Sequence, residues 1–287
     1  MQTLRSLING PELIVAPVAL NPIMARLAQD AGFKAAYVSG GSLGWLKCNT
    51  EANLTLHEMA QLALDMRAAS PLPLVLDAGG GWGDPVHMHH TMALAEAAGY
   101  AALEVEDQFL PRRVHHHIGE ERLIEPEAMV QKIRELVAAR GNPDTLIVGR
   151  TNAIRSHGLD EALRRAEIYK KAGADMIFVH TRDPEQMRKI GERLPAPLMI
   201  FAPGDGFGQF ALSKEEFYKL GFRLAASSGS AFAAMYKAIK QSYACLASGE
   251  LDPFLGKGGV AREMKNAHAT CGLDALLKVE TATTGDK

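Results

Sequence analysis

Cysteine is scarce: there are three in 287 residues, Cys48, Cys245 and Cys271. An odd number at such separations argues against a disulfide framework and fits a reducing compartment. Long apolar runs are missing too. No window holds the ~18 uninterrupted apolar residues of a membrane-crossing helix, and the start, MQTLRSLINGPELIV, lacks the basic head, apolar core and cleavage site of a secretory signal. A surplus of positive charge is also absent. Against 33 Asp and Glu stand 31 Lys and Arg, a net charge of -2 with a pI of about 6.6. That leaves no electrostatic footprint for nucleic acid or an anionic membrane. The expectation is a cytoplasmic protein that works on a small molecule.

What is present is a repeat of strand and helix. Apolar, β-rich runs occur at 13–20, 35–40, 74–79, 102–107, 146–153, 176–180, 198–203 and 223–229, which makes eight. Apolar character without polar alternation is the mark of parallel strands buried on both faces. The segments between them carry apolar residues at helical spacing, and Gly32, Gly99, Gly173 and Gly221 stand where a left-handed helix cap is needed. Eight βα units predict a (β/α)8 barrel, a TIM barrel of the α/β class, over residues 1–244. A doubly wound sheet is the competitor, but no Gly-rich phosphate turn follows the first strand, and GGGWG at 79–83 follows the third with the wrong spacing. Residues 245–287 hold two further helix-like pieces that a barrel does not need. They predict a homo-oligomer, a dimer or tetramer with helices exchanged between subunits, and a frayed end over the last six or so residues.

Barrel chemistry sits at the C-terminal ends of the strands. Those ends carry Tyr37, Ser39, Gly40 and Gly41 (second), Asp77 (third), Glu104, Glu106 and Asp107 (fourth), Arg150 and Asn152 (fifth), His180 and Arg182 (sixth), and Ser227 and Ser228 (eighth). Asp77 and Glu106 on adjacent strands suit a hard divalent cation, Mg²⁺ with Mn²⁺ as its substitute; the alternative is that each pairs with a basic side chain. Arg150 can grip a carboxylate bidentately, and Ser39, Gly40 and Gly41 offer a hydroxyl and approachable N–H groups to a second anionic group. His180 is either a substrate contact or a hydrogen-bonded core histidine. The substrate so described is a small anionic 2-oxo or 2-hydroxy acid.

VSGGS, LVLDAGGGWG, VEDQ, GRTNA and FAPGDG, at these places, resemble the isocitrate lyase and phosphoenolpyruvate mutase superfamily over about residues 8–245. The resemblance implies an Mg²⁺-dependent barrel, usually a tetramer with a swapped C-terminal helix, acting on 2-oxo or 2-hydroxy acids. It implies that Ser39, Gly40 and Gly41 form the substrate-carboxylate loop, that Asp77 and Glu106 hold the metal, and that Arg150 grips the substrate; Tyr37, from its place at the end of the second strand, is expected among the substrate-binding residues. His180 in VHTRD resembles the histidine of the mutase and phosphonopyruvate hydrolase branch. The chain departs from the pattern at Gly79, where a second aspartate is usual, and around Thr50, where another is common.

PRRVHHHIGEE, 111–121, follows the fourth strand and so belongs to the lid over the barrel mouth. The lyases carry a cysteine there in a KKCGH or KRCGH motif, and the aligned residue is Val114. As an extended segment the stretch could turn only His115 and His117 the same way, which argues against a histidine metal site. The expectation is that Arg112, Arg113 and either His116 or His117 fold onto an anionic substrate, the imidazole acting as general acid; the alternative is a solvated polar loop. The leading functional expectation is an Mg²⁺-dependent carbon–carbon lyase or decarboxylase of a small oxo or hydroxy dicarboxylate. Phosphonopyruvate hydrolase or mutase chemistry is the second reading, and a non-catalytic carboxylate-binding barrel the third.

Overall fold

The computed structural model describes residues 2–284; Gly285–Lys287, part of the end expected to fray, lie outside them. Eight strands form: β1 (Ile14–Pro17), β2 (Ala36–Val38), β3 (Leu74–Asp77), β4 (Ala102–Glu106), β5 (Leu146–Thr151), β6 (Met176–Val179), β7 (Leu198–Phe201) and β8 (Phe222–Ser227). Each lies within one residue of the runs identified in the sequence. Their order is β1-β8-β7-β6-β5-β4-β3-β2, every pairing parallel. A parallel bridge between Val18 and Tyr37, with Ala19 N–H donating to Tyr37 O at 2.9 Å, closes the ring into the (β/α)8 barrel. Gly32, Gly99, Gly173 and Gly221 take φ of 84°, 83°, 113° and 92°, the left-handed caps their positions call for.

Alternation along each strand decides what faces the barrel axis. The central core contains Val75, Ala102, Leu146, Val148, Met176, Phe178, Met199, Leu224 and Ala226. Two residues further along their strands stand Asp77, Glu104, Arg150, His180, Phe201 and Ser228. Apolar layers thus fill the lower barrel, and the same inward rows turn polar at the top. The N-terminal helix Leu4–Ile8, unforeseen in the sequence, adds Leu4, Leu7 and Ile8 to this core. Its Arg5 pairs with Asp175 at 2.9 Å, just before β6, which sets the helix at the base of the barrel.

Backbone packing divides the chain into two units, Met1–Ser230 and Ala231–Lys287. The helix Ser230–Ser248, which the sequence pattern attaches to the barrel, falls almost wholly in the second unit, followed by the two expected helices, Gly259–Thr270 and Leu273–Thr283. Among the described residues no helix is long and apolar enough to cross a membrane.

Candidate active site

The polar ends of the inward rows converge on a cavity of about 250 Å³ lined by Ser39, Gly41, Glu51, Asp77, Arg112, His116, His117, Arg150 and His180 among others. Register explains the first contacts. Glu106 lies beside Arg150 across β4 and β5, and Asp77 beside Glu104 across β3 and β4. Arg150 Nη1 donates to Glu104 at 2.6 Å, its Nε stands 3.2 Å from Glu106, and Nε and Nη2 both donate to Asn152 Oδ1. Phe178 and Phe201 flank the guanidinium, 5.0 and 5.2 Å from its centre. Three of its five N–H groups are used in these hydrogen bonds, so it is fixed in place with donors to spare for a substrate anion.

Asp77 accepts from Gly40 N–H at 3.0 Å and Gly79 N–H at 3.2 Å. Burial, with Glu51 and Glu106 close by, raises its pKa above the ordinary aspartate value. Glu106 behaves oppositely. Burial would raise it, but Arg112 and Arg150 overcome that and hold it at about 2. Asn152 Nδ2 donates to its Oε2 at 2.7 Å, whereas Oε1 has no hydrogen bond and only the charge of Arg112 Nη1 at 2.7 Å. An orphaned buried oxygen beside a carboxylate that gains from added positive charge fits a divalent cation, and Asp77 and Glu106 would hold it.

The lid spans the mouth between two anchored ends. Phe109 N–H donates to Arg122 O and Ile124 N–H to Asp107 O, closing its base. Its centre is not extended. Val114–Ile118 form a 3₁₀ turn, which corrects the expectation that His115 and His117 share a side: here His116 and His117 lie with ring centres 3.9 Å apart, and His115 is exposed. His116 Nδ1 faces Arg113 O at 2.7 Å, and Nε2 lies on Glu51 Oε1. Both partners only accept, an arrangement that favours protons on both ring nitrogens, the imidazolium form. Burial opposes that charge, and the Glu51 and Arg113 oxygens override it to raise the pKa. His117 is held by Thr50 Oγ1 at 2.9 Å, its pKa lowered by burial and by His116.

Glu51, His116 and His117 could together surround a metal ion. They fit an ion pair better, because Glu51 is already shared between His116 and Arg112 Nη2 at 3.0 Å, and a cation there would face both positive charges. His180 is the counterpart of His116. Its Nδ1 lies 3.2 Å from Asn152 Oδ1, whose amide orientation is fixed by Glu106 and Arg150, so Nδ1 must donate and Nε2 keeps its lone pair. Burial and Arg150 push its pKa well down, leaving the ring neutral.

Of the residues expected from the sequence, Ser39, Gly41, Asp77, His116, His117, Arg150 and His180 line this cavity. Gly40 lines an adjoining cavity of about 420 Å³ that shares Glu51, Asp77 and Arg112 with it, and Glu106 lies behind Arg112 and Arg150. Tyr37 is fully buried and donates to Glu104 at 3.0 Å, so it supports Arg150 through Glu104 from the layer below. Arg113 points elsewhere, its guanidinium 5.9 Å from the Phe109 ring centre; Arg112 takes the inward position. Val114 is 53% exposed and does not line the cavity. Sequence reasoning missed Glu51, Gln108, Glu121 and Arg155. Gln108 closes the VEDQ motif and Glu121 the PRRVHHHIGEE stretch, and Glu51 stands next to Thr50 where the superfamily pattern is altered, whereas Arg155 left no signal.

Residues 4–247 match the phosphoenolpyruvate phosphomutase family model. The chain is 36% identical to the 2-methylisocitrate lyase of Aeropyrum pernix over 82% of its own length and 76% of that protein's. It is 34% identical to the oxaloacetate decarboxylase of Pseudomonas fluorescens over 84% and 82%. In structure it is similar to phosphonopyruvate hydrolase complexed with oxalate and Mg²⁺, with a TM-score of 0.83, 25% identity and coverage of 98% and 97%. With the barrel, the strand-end carboxylates and the lid in place, these matches establish that the chain belongs to the isocitrate lyase and phosphoenolpyruvate mutase superfamily.

Proposed function

We propose that this enzyme, a carbon–carbon lyase of its superfamily, cleaves a small dicarboxylate, either at the C3–C4 bond of a 2-oxo acid or at the C2–C3 bond of a 2-hydroxy acid. The observation that carries the reading is the pair of imidazoles on one cavity with opposite surroundings: His116 lies between two acceptors, Glu51 and Arg113 O, which favour its protonated form, whereas His180 is largely buried beside Arg150 with Nδ1 on Asn152 Oδ1, which favours the neutral ring. For an oxaloacetate-like substrate, the C3–C4 pair stays on C3 as CO₂ leaves, giving the enolate, and His116 then delivers its proton to C3. For a 2-hydroxy acid, His180 takes the hydroxyl proton, the O–H pair becomes the carbonyl, the C2–C3 pair passes to C3, and His116 protonates that carbon. An imidazolium thereby supplies the acid that no cysteine supplies at Val114. Arg150 grips the substrate carboxylate, and Arg112 and the lid exclude water. A divalent cation held by Asp77 and Glu106, Mg²⁺ by preference, supplies positive charge opposite the developing enolate oxygen.

The reading extends to assembly. Tyr243, Leu246, Leu276, Leu277 and Val279 of the second unit are exposed and apolar, which supports a homo-oligomer, to be measured by light scattering.

The test is turnover of oxaloacetate, 2-methylisocitrate and phosphonopyruvate by the purified protein, beside calorimetric titration of oxalate with Mg²⁺ and with EDTA. Turnover of a dicarboxylate with metal-dependent oxalate binding is the expected result. Turnover of phosphonopyruvate alone would move the reading to P–C chemistry, and absence of oxalate binding in both conditions would remove the enolate site.

A further inference from the structure

Four arginines line the reaction cavity: Arg112, Arg150, Arg155 and Arg182. Three of them are already matched with carboxylates. Arg112 lies on Glu51 and Glu106, Arg150 on Glu104 and Glu106, and Arg155 Nη1 stands 3.1 Å from Glu121. Arg182, exposed two residues beyond His180, has neither a hydrogen bond nor an ion pair among the described residues. The acids next to it in sequence are committed elsewhere. Asp183 accepts from Glu185 N–H at 2.8 Å and Gln186 N–H at 3.3 Å, capping the helix Pro184–Arg193, and Glu185 stands 3.6 Å from Arg188. Arg155 and Arg182 follow the adjacent strands β5 and β6, and with Arg150 they supply the positive charge that disfavours protonation of His180. Three guanidiniums thus gather around one neutral ring, and an anion entering there relieves their mutual repulsion.

A dicarboxylate has two charges to place. Arg150 has two N–H groups beyond the three it uses, enough for one carboxylate. The charges of His116 and Arg112 face Glu51 and Glu106, so the cation left for a second carboxylate is Arg182. We propose that Arg182, assisted by Arg155, is the specificity residue that holds the far carboxylate of the substrate at the rim of the cavity. The site thereby selects 2-oxo or 2-hydroxy acids charged at both ends over those with a neutral far end. The proposal rests on the reading of the cavity as an enolate site with Arg150 at its inner end. Arg155 is the lesser partner, because Glu121 already takes part of its charge. Fixing both ends also orients the chain between them, which keeps the reacting bond within reach of His116 and His180.

The test is calorimetric titration of three probes, in Mg²⁺ buffer, into the full-length protein and its Arg182→Gln and Arg182→Lys variants. Oxalate reports on the inner end alone. N-oxalylglycine joins an oxalyl head to a short arm ending in a carboxylate, and N-ethyloxamate carries the same head with an uncharged arm. The unmodified protein is expected to bind N-oxalylglycine about 10- to 100-fold more tightly than N-ethyloxamate, the range of one charge-assisted contact. Arg182→Gln is expected to erase that preference while leaving oxalate affinity unchanged, which also shows that the fold and the inner site are intact. Arg182→Lys, a point charge in place of a planar fork, is expected to restore part of it. No preference for N-oxalylglycine in the unmodified protein, or a preference that survives Arg182→Gln, overturns the assignment, and continued oxalate binding then leaves the enolate reading standing. Equal weakening of all three probes in Arg182→Gln assigns the residue a general role and overturns its selectivity as well. Failure of oxalate to bind the unmodified protein removes the enolate site, and the far-carboxylate assignment falls with it.

Discussion

Glu106 and Asp107 are consecutive, buried and acidic, yet they live in different kinds of surroundings. Successive residues of a strand face opposite sides, so Glu106 looks into the barrel mouth and Asp107 outward beneath the helix Ile154–Lys171. Asp107 is fully satisfied: it accepts from Thr151 Oγ1 at 2.7 Å, Tyr169 OH at 2.9 Å, Asn152 N–H at 3.2 Å and Arg165 Nη1 at 3.1 Å. Glu106 keeps an unbonded oxygen, and one of its two cations rides on the lid. A closed network holds structure, whereas an open one holds charge in readiness for a ligand.

That contrast should be sharpest in stability. Asp107→Ala takes the buried acceptor away from Thr151, Tyr169 and Arg165 Nη1, leaving Arg165 only Glu161 as a carboxylate, and should cost about 3–5 kcal/mol in denaturant unfolding. A loss below about 1 kcal/mol would mean that the network is not the strut described. Glu106→Gln should lose less stability, since Arg112 can swing out with the lid, while Mg²⁺-dependent oxalate affinity falls on the order of 10- to 100-fold. Equal losses in the two variants, in both measurements, would erase the distinction. The smallest effect concerns pH. His116 has a folded pKa above its ordinary value, so the lid contact it makes with Glu51 is fully present below the ordinary imidazole pKa and is lost as pH rises through the raised value. Protection of the lid from protease should therefore decline through and above neutrality, and His116→Gln should flatten the profile; a decline that persists in the variant would assign it to another group.

The fold was legible because it rests on repetition: apolar strand runs, helical spacing and glycine caps each occur several times and support one another. The strand-end residues were legible for the same reason, since period two carries Val75 to Asp77 and Val148 to Arg150 on one face. Depth was not. Tyr37 lies on an inward row, but one layer too low to reach the cavity, and only closure of the ring reveals that. The lid failed differently. Whether Arg112 or Arg113 points inward, and which histidines come together, depends on a single 3₁₀ turn that no periodicity announces. Glu51, in the short turn Glu51–Asn53, becomes a site residue only through partners more than sixty positions away.

The short helix Leu4–Ile8 has a kinetic meaning. By adding Leu4, Leu7 and Ile8 to the core below the cavity it closes the end of the barrel opposite the lid, so what reacts in the cavity and what leaves it pass the lid-covered mouth in turn. Departure of the last product then waits on the segment that admitted the first reactant, and slow release becomes the natural ceiling on turnover.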